Sequence, residues 1–180
     1  MTKLLIASCF LMTNIAQIAN AETHTDGRLL KAAFIYNFAK FTRWPENTWK
    51  QQNAPLNLCT IGKDELINEL KRLTGKTIKD HPVITQSLQN KQIPDNCHLL
   101  YIASSEKNHY KNILESVHNK PILTISEQPH FARSGGMIEF FRKKDQTRFI
   151  INLGITRNTG LTVSSRLLNL ALVINHKEAQ

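Results

Sequence analysis

The run Cys97-His-Leu-Leu-Tyr-Ile-Ala103 constrains the fold most, because it carries apolar side chains on both of its alternating faces. A strand of that kind is stable only where both sides of its sheet are covered, as in the centre of a parallel α/β sheet. Its neighbours in sequence fit that setting. Leu56-Asn-Leu-Cys-Thr-Ile61 reads as a short strand closed by Gly62, and Asp64 to Leu73 reads as a helix with Leu66, Ile67, Leu70 and Leu73 inward. Thr77-Ile78 with Pro82-Val-Ile-Thr85 gives a second short strand, the proline at its beginning or on an edge. Ser104-Ser105-Glu106 ends the 97–103 strand and supplies an N-cap for a helix from Lys107 to His118, packed through Ile113, Leu114 and Val117. Pro121-Ile-Leu-Thr-Ile125 is a fourth strand. Strand-to-helix units in series predict an α/β fold: a three-layer sandwich with a largely parallel central sheet of five or six strands flanked by helices.

Ahead of these units lies an amphipathic segment, Lys31 to Pro45. At helical spacing Leu30, Phe34, Phe38 and Phe41 share one face, Ala33 widens it, and Lys31, Lys40 and Arg43 stay outside. Asn37 interrupts the stripe, and a buried amide there would tie the helix to a neighbouring loop. Pro45 stops the helix, leaving Trp44 as an anchor at its exit.

The C-terminal third changes character. Phe131-Ala-Arg-Ser-Gly-Gly-Met-Ile-Glu-Phe-Phe141 passes through a Gly135-Gly136 bend into a strand, and Arg148 to Leu153 returns it as a C-terminal antiparallel hairpin across the charged turn 142–147. Leu161 to Val163 is extended, and Ser164-Ser165 caps a final helix with Leu167, Leu168, Leu170, Ala171 and Ile174 inward.

The first twenty-one residues read as an export leader: Lys3 is its charged region, Leu4 to Met12 its apolar region, and Ala19-Asn20-Ala21 a small-x-small cleavage site. Residues 22–180 are then expected to form a single domain in the periplasm. No later run reaches the roughly 20 apolar residues of a membrane span. The chain carries 23 Lys and Arg against 14 Asp and Glu, and an exported basic protein meets acidic protein surfaces or lipid headgroups rather than nucleic acid. Cys9 departs with the leader, so Cys59 and Cys97 remain, and in an oxidising compartment an isolated pair of thiols forms a disulfide.

Catalytic signatures are missing. The seven histidines, His24, His81, His98, His109, His118, His130 and His176, lack the close pairing of a zinc helix. Gly75-Lys76-Thr77 ends like a phosphate loop, yet Leu70 stands where such a loop needs its first glycine. Asp64-Glu65 suits a helix first turn, and Ser134 lacks a nucleophile elbow. The expected strand carboxyl ends, with Lys63, Ser104-Ser105 and Ser126-Glu127, hold no glycine fingerprint and no acidic cluster for magnesium, which marks that edge as structural. Cys59 and Cys97 lack the Cys-x-x-Cys spacing of a thiol-disulfide enzyme. No cofactor is expected, and the chain is not read as an enzyme.

Five motifs carry a resemblance: Tyr36-Asn-Phe-Ala-Lys-Phe-Thr-Arg-Trp-Pro45, Gly75-Lys76-Thr77, Phe131-Ala-Arg-Ser-Gly-Gly-Met-Ile138, Ile151-Asn-Leu153 and Leu161-Thr-Val-Ser-Ser-Arg-Leu-Leu168. In this order they resemble the YfiR family of periplasmic proteins. The resemblance implies an α/β sandwich that binds the periplasmic part of an inner-membrane diguanylate cyclase and holds it inactive, until envelope or redox stress raises cyclic di-GMP and favours biofilm. Some members carry a second cysteine pair, which this chain lacks, and Gly154 to Gly160 is a poorer helix than its counterpart in the family.

Two sets of residues are candidates for recognition. Phe41, Arg43, Trp44, Phe140 and Phe141 are expected to meet the partner, since aromatic and arginine side chains dominate interface energetics. Ser164, Ser165 and Arg166 combine hydroxyls, helix N-terminal amides and a guanidinium in a way that suits a small anion, the alternative function. A homodimer is left open.

Overall fold

The computed structural model describes residues 15–89 and 92–175. The charged and apolar regions of the expected leader, with His176, lie outside the described residues, and the expected cleavage point after Ala21 falls within the first helix.

That helix, α1 (Ile15–Phe41), buries Ala32, Ile35, Phe38 and Ala39. The buried face is rotated from the one expected: Ala33 is exposed, Leu30 is 46% exposed, and Phe34 and Phe41 are half-buried on its flanks. Small and branched residues bring the helix axis close to the sheet, and the larger rings reach in from the sides. Asn37 therefore sits at the edge of the contact, and its Nδ2 donates to the Ala33 carbonyl one turn back at 2.9 Å, not to a neighbouring loop. Phe38 meets Phe149 at 4.8 Å and Phe140 at 5.5 Å between ring centroids, which clamps α1 to the C-terminal hairpin. The helix ends ahead of Pro45 because Thr42–Arg43 (β1) is drawn into a strand pairing described below.

The chain continues through β2 (Leu56–Ile61), α2 (Leu66–Lys71), β3 (Thr77–Ile78), β4 (His81–Leu88), β5 (Leu99–Ile102), α3 (Tyr110–Ser116) and β6 (Leu123–Ser126). It then forms β7 (Ile138–Lys143), β8 (Gln146–Asn152), α4 (Leu153–Asn158), β9 (Thr162–Val163), α5 (Ser165–Leu168) and β10 (Leu172–Ile174). The main sheet has eight strands in the order β10-β8-β7-β6-β5-β2-β4-β3, parallel except for the β7–β8 hairpin and the β3–β4 pair. It exceeds the expected strand number through β3 and β10, edge strands too short to show an alternation.

Two apolar layers lie against it. Leu58, Leu99, Tyr101 and Ile125 point toward α1 and α2, while Cys59, Ile61, Leu100 and Ile102 point toward Ile113, Leu114 and Val117 of α3. The three-layer α/β architecture read from the 97–103 run is the one observed. Cys59 and Cys97 are joined in a disulfide with Cα atoms 6.1 Å apart, both buried. It closes a loop of 38 residues between β2 and the entry to β5, a cross-link of roughly 4 kcal/mol on a chain-entropy basis.

One cap differs from expectation, and one capped helix is shorter than expected. Ser104–Glu106 forms a 3-10 turn, and α3 starts later, at Tyr110, without a side-chain cap. Ser105 Oγ instead accepts from the Lys63 amide at 2.8 Å, joining the loops after β2 and β5. Ser164 does cap α5, its Oγ accepting from the Leu167 amide, but α5 lasts one turn before the chain extends again as β10 beside β8. Leu170 is consequently exposed rather than inward, and only Leu167 of α5 is fully buried.

The glycine bend is a packed knot. Glu139, 6% exposed, accepts from the His130 and Ala132 amides, while Asn152 Nδ2 donates to the Ala132 carbonyl at 2.7 Å. Asn152 Oδ1 also accepts from the Ile155 amide, which caps α4 and makes Leu153–Asn158 helical despite its weak sequence. Gly136 lies flat on the buried Phe131 ring: a Cβ there would stand 2.2 Å from it. Gly136→Ala is expected to destabilise the fold by about 2–3 kcal/mol through overpacking, measured by urea denaturation; an unchanged midpoint would show that the ring yields.

Candidate functional site

The first and last sequence motifs meet in a two-stranded antiparallel sheet, in which Thr42 pairs with Val163 and Arg43 with Thr162. The Ser164 amide extends the ladder by donating to the Phe41 carbonyl at 2.9 Å. Candidates far apart in the sequence thus share one junction: Phe41, Arg43 and Trp44 from the helix exit, and Ser164, Ser165 and Arg166 from the entry to α5. Arg43, Ser165 and Arg166 are exposed, Phe41 and Ser164 half-buried, and Trp44 buried. Gly160 shapes the approach, since it has φ +78° and a Cβ there would lie 3.0 Å from the Pro45 ring.

Sequence reasoning missed Lys79, which the β3–β4 turn delivers to this junction. Its Nζ donates to the Thr42 carbonyl at 3.0 Å, and burial, followed by the Arg43 charge, lowers its pKa. Beside these cations, Thr42 Oγ1 and Trp44 Nε1 are buried without a hydrogen-bond partner. The junction is therefore basic, with Arg43 and Arg166 exposed on it and Lys79 held against the Thr42 carbonyl.

Phe140 and Phe141 do not form a joint surface. Strand alternation sends Phe140 into the core against Phe38, whereas Phe141 is half-buried and lines a groove beside β10.

The carboxyl edge of the sheet is filled from within. The Tyr101 hydroxyl donates to Asp64 Oδ2 at 2.7 Å and lies 3.5 Å from Glu127 Oε1, while Lys31 pairs with Glu127 Oε2 at 2.5 Å. Burial, with Glu127 and Asp64 next to it, raises the Tyr101 pKa far above the ordinary phenol range, so it remains a donor. The network ties α1 to the sheet and leaves no ligand set: among the described residues no group of three or more His, Cys, Asp and Glu is placed to hold a metal. A tyrosine inside an otherwise aliphatic strand was the sequence signal for it.

At the opposite edge His98, 5% exposed, accepts the Asn57 amide on Nδ1 at 2.9 Å, and Trp49 covers it while stacking on His81. Burial, then the neighbouring His81, depresses the His98 pKa to about 4. The unfolded chain therefore binds this proton first, near pH 6.5, and the fold is destabilised as pH falls from 6.5 toward 4. The loss is expected to reach about 2–3 kcal/mol. Urea denaturation of the wild type and His98→Gln across that window checks it; equal pH slopes would contradict the assignment.

The YfiR/HmsC-like family model matches residues 28–172. A search of the curated proteins finds no match. The matched span takes in both strands of the β1–β9 junction, the glycine knot and the main sheet up to the first residue of β10. With well over half of its length covered, the chain belongs to the YfiR/HmsC-like family.

Proposed function

We propose that this chain is a periplasmic regulatory protein that binds the periplasmic sensing domain of an inner-membrane diguanylate cyclase and represses it, limiting cyclic di-GMP and biofilm formation. The observation that carries the reading is the family match over residues 28–172. In this reading residues 1–21 are a cleaved leader and residues 22–180 the working domain. It acts by binding and not by catalysis, which accords with a carboxyl edge filled by its own side chains. No helix among the described residues is long and apolar enough to cross a membrane.

The exposures divide the recognition residues. Arg43, Phe41 and Phe141 reach solvent and are assigned to the partner, while Trp44 and Phe140 hold the surfaces that present them. The buried Cys59–Cys97 bond is assigned a structural role, since reduction requires access to a sulfur.

The unpartnered Thr42 and Trp44 atoms beside Arg43 and Lys79 support a second reading, a carboxylate or phosphate held at the junction with help from Ser164, Ser165 and Arg166. Calorimetric titration with carboxylates and nucleotides is expected to show heat that Arg166→Ala reduces; no heat, together with intact regulation in that variant, removes this reading. For the main reading, deletion of the gene is expected to raise cyclic di-GMP severalfold in a strain carrying the cyclase, measured by mass spectrometry of extracts. An unchanged level in that strain contradicts it.

A further inference from the structure

The two edges of the main sheet are treated differently. The β3 edge is two residues long and lies between Lys76 and Lys79, features that discourage further strand addition. The β10 edge is also short, at three residues, but Leu172-Val173-Ile174 carries no charged residue. Leu172–Ile174 pairs with β8 on one side, and β10 ends the strand order on the other. Leu172 is 54% exposed and Val173 38%, and Leu170 just before them is 64% exposed. Such apolar exposure on an unpaired strand is costly in a monomer unless something covers it.

Beside this edge runs a groove of roughly 540 Å³. Its apolar floor includes Phe141, Leu170 and Leu172, and its rim carries Lys143, Lys144 and Arg148. Among the described residues the groove lining holds no acid, and Asp145 at the hairpin tip is paired with Arg142 at 3.1 Å, which leaves the rim cations in excess. We infer that β10 and this groove form the docking surface for an extended segment of the cyclase's periplasmic domain, apolar on one face and acidic at its flanks, which adds to the sheet as a further strand. Main-chain hydrogen bonds along β10 supply affinity, Leu170 and Leu172 are covered, and the basic rim selects the acidic flanks. A second copy of this chain is a poorer occupant, because pairing edge to edge brings two sets of Lys143, Lys144 and Arg148 toward each other.

The inference rests on the proposed repression of a cyclase, and the test separates the two. The purified mature chain is titrated with the periplasmic domain of the cyclase carried by the strain of the deletion experiment. Leu170→Asp/Leu172→Asp and Lys143→Glu/Lys144→Glu/Arg148→Glu are each expected to weaken binding at least tenfold with an unchanged melting temperature, the altered side chains being at the surface. Raising the salt from 50 to 300 mM should weaken the wild type several-fold and the charge-reversed variant far less. Binding by the wild type that both variants retain overturns the inference and leaves the functional reading standing. No binding by the wild type overturns both. A wild-type dimer that Leu172→Asp converts to monomer, with cyclase binding unaltered, also overturns it by assigning the edge to a second copy.

Discussion

Burial of β2, β5 and β6 on both faces is the constraint on which the rest depends. Parallel strands leave no room for tight turns between them, so each must be followed by a crossover that returns over one face. Alternation then divides the strand residues cleanly: Leu58, Leu99 and Tyr101 face α1 and α2, and Cys59, Leu100 and Ile102 face α3. Tyr101, the largest of the polar side chains buried on these strands, finds Asp64 at its hydroxyl and thereby fixes the loop after β2. Because that network also reaches Glu127 and Lys31, the edge where many α/β proteins bind ligands is spent on holding α1 in place.

The C-terminal third completes the protein by a different principle. The hairpin β7–β8 is antiparallel and packs through aromatic rings, with Phe38 of α1 between Phe140 and Phe149. The glycine knot makes the turn into that hairpin possible, since only a residue without a side chain fits against the Phe131 ring. Two of the motifs that carry the resemblance therefore have structural work to do, since Gly136 and Asn152 hold the knot. What folding does not explain lies at the surface, in Arg43 and Arg166 at the β1–β9 junction and in the uncovered β10 edge.

The central strands were legible because their signal is local. Leu56–Ile61 matched its expected limits, and the 97–103 run contains β5. The orientation of α1 was not legible, because side-chain size ranks Phe34 and Phe41 above Ala32 and Ala39, whereas close approach to a sheet favours the alanines. The fate of Leu170 to Ile174 was hidden for a related reason: an apolar run after a capped serine satisfies a helix as well as an edge strand, and only the free side of β8 decides between them. At the candidate site, Arg43 and Arg166 were found separately, but the Thr42–Val163 register that brings their segments to one junction is a long-range fact. Lys79 arrived from a turn that no motif marks.

A protein that regulates by binding needs a stable frame and a surface that costs something to leave open. The double-faced sheet supplies the first, and in the proposed reading the basic junction and apolar edge supply the second. The most direct measurement is the rate of cyclic di-GMP synthesis by the intact cyclase in membrane vesicles to which the purified mature chain has access on the periplasmic side. The predicted result is a saturable fall in rate as the chain is added. A rate that stays constant at saturating chain would contradict the central claim.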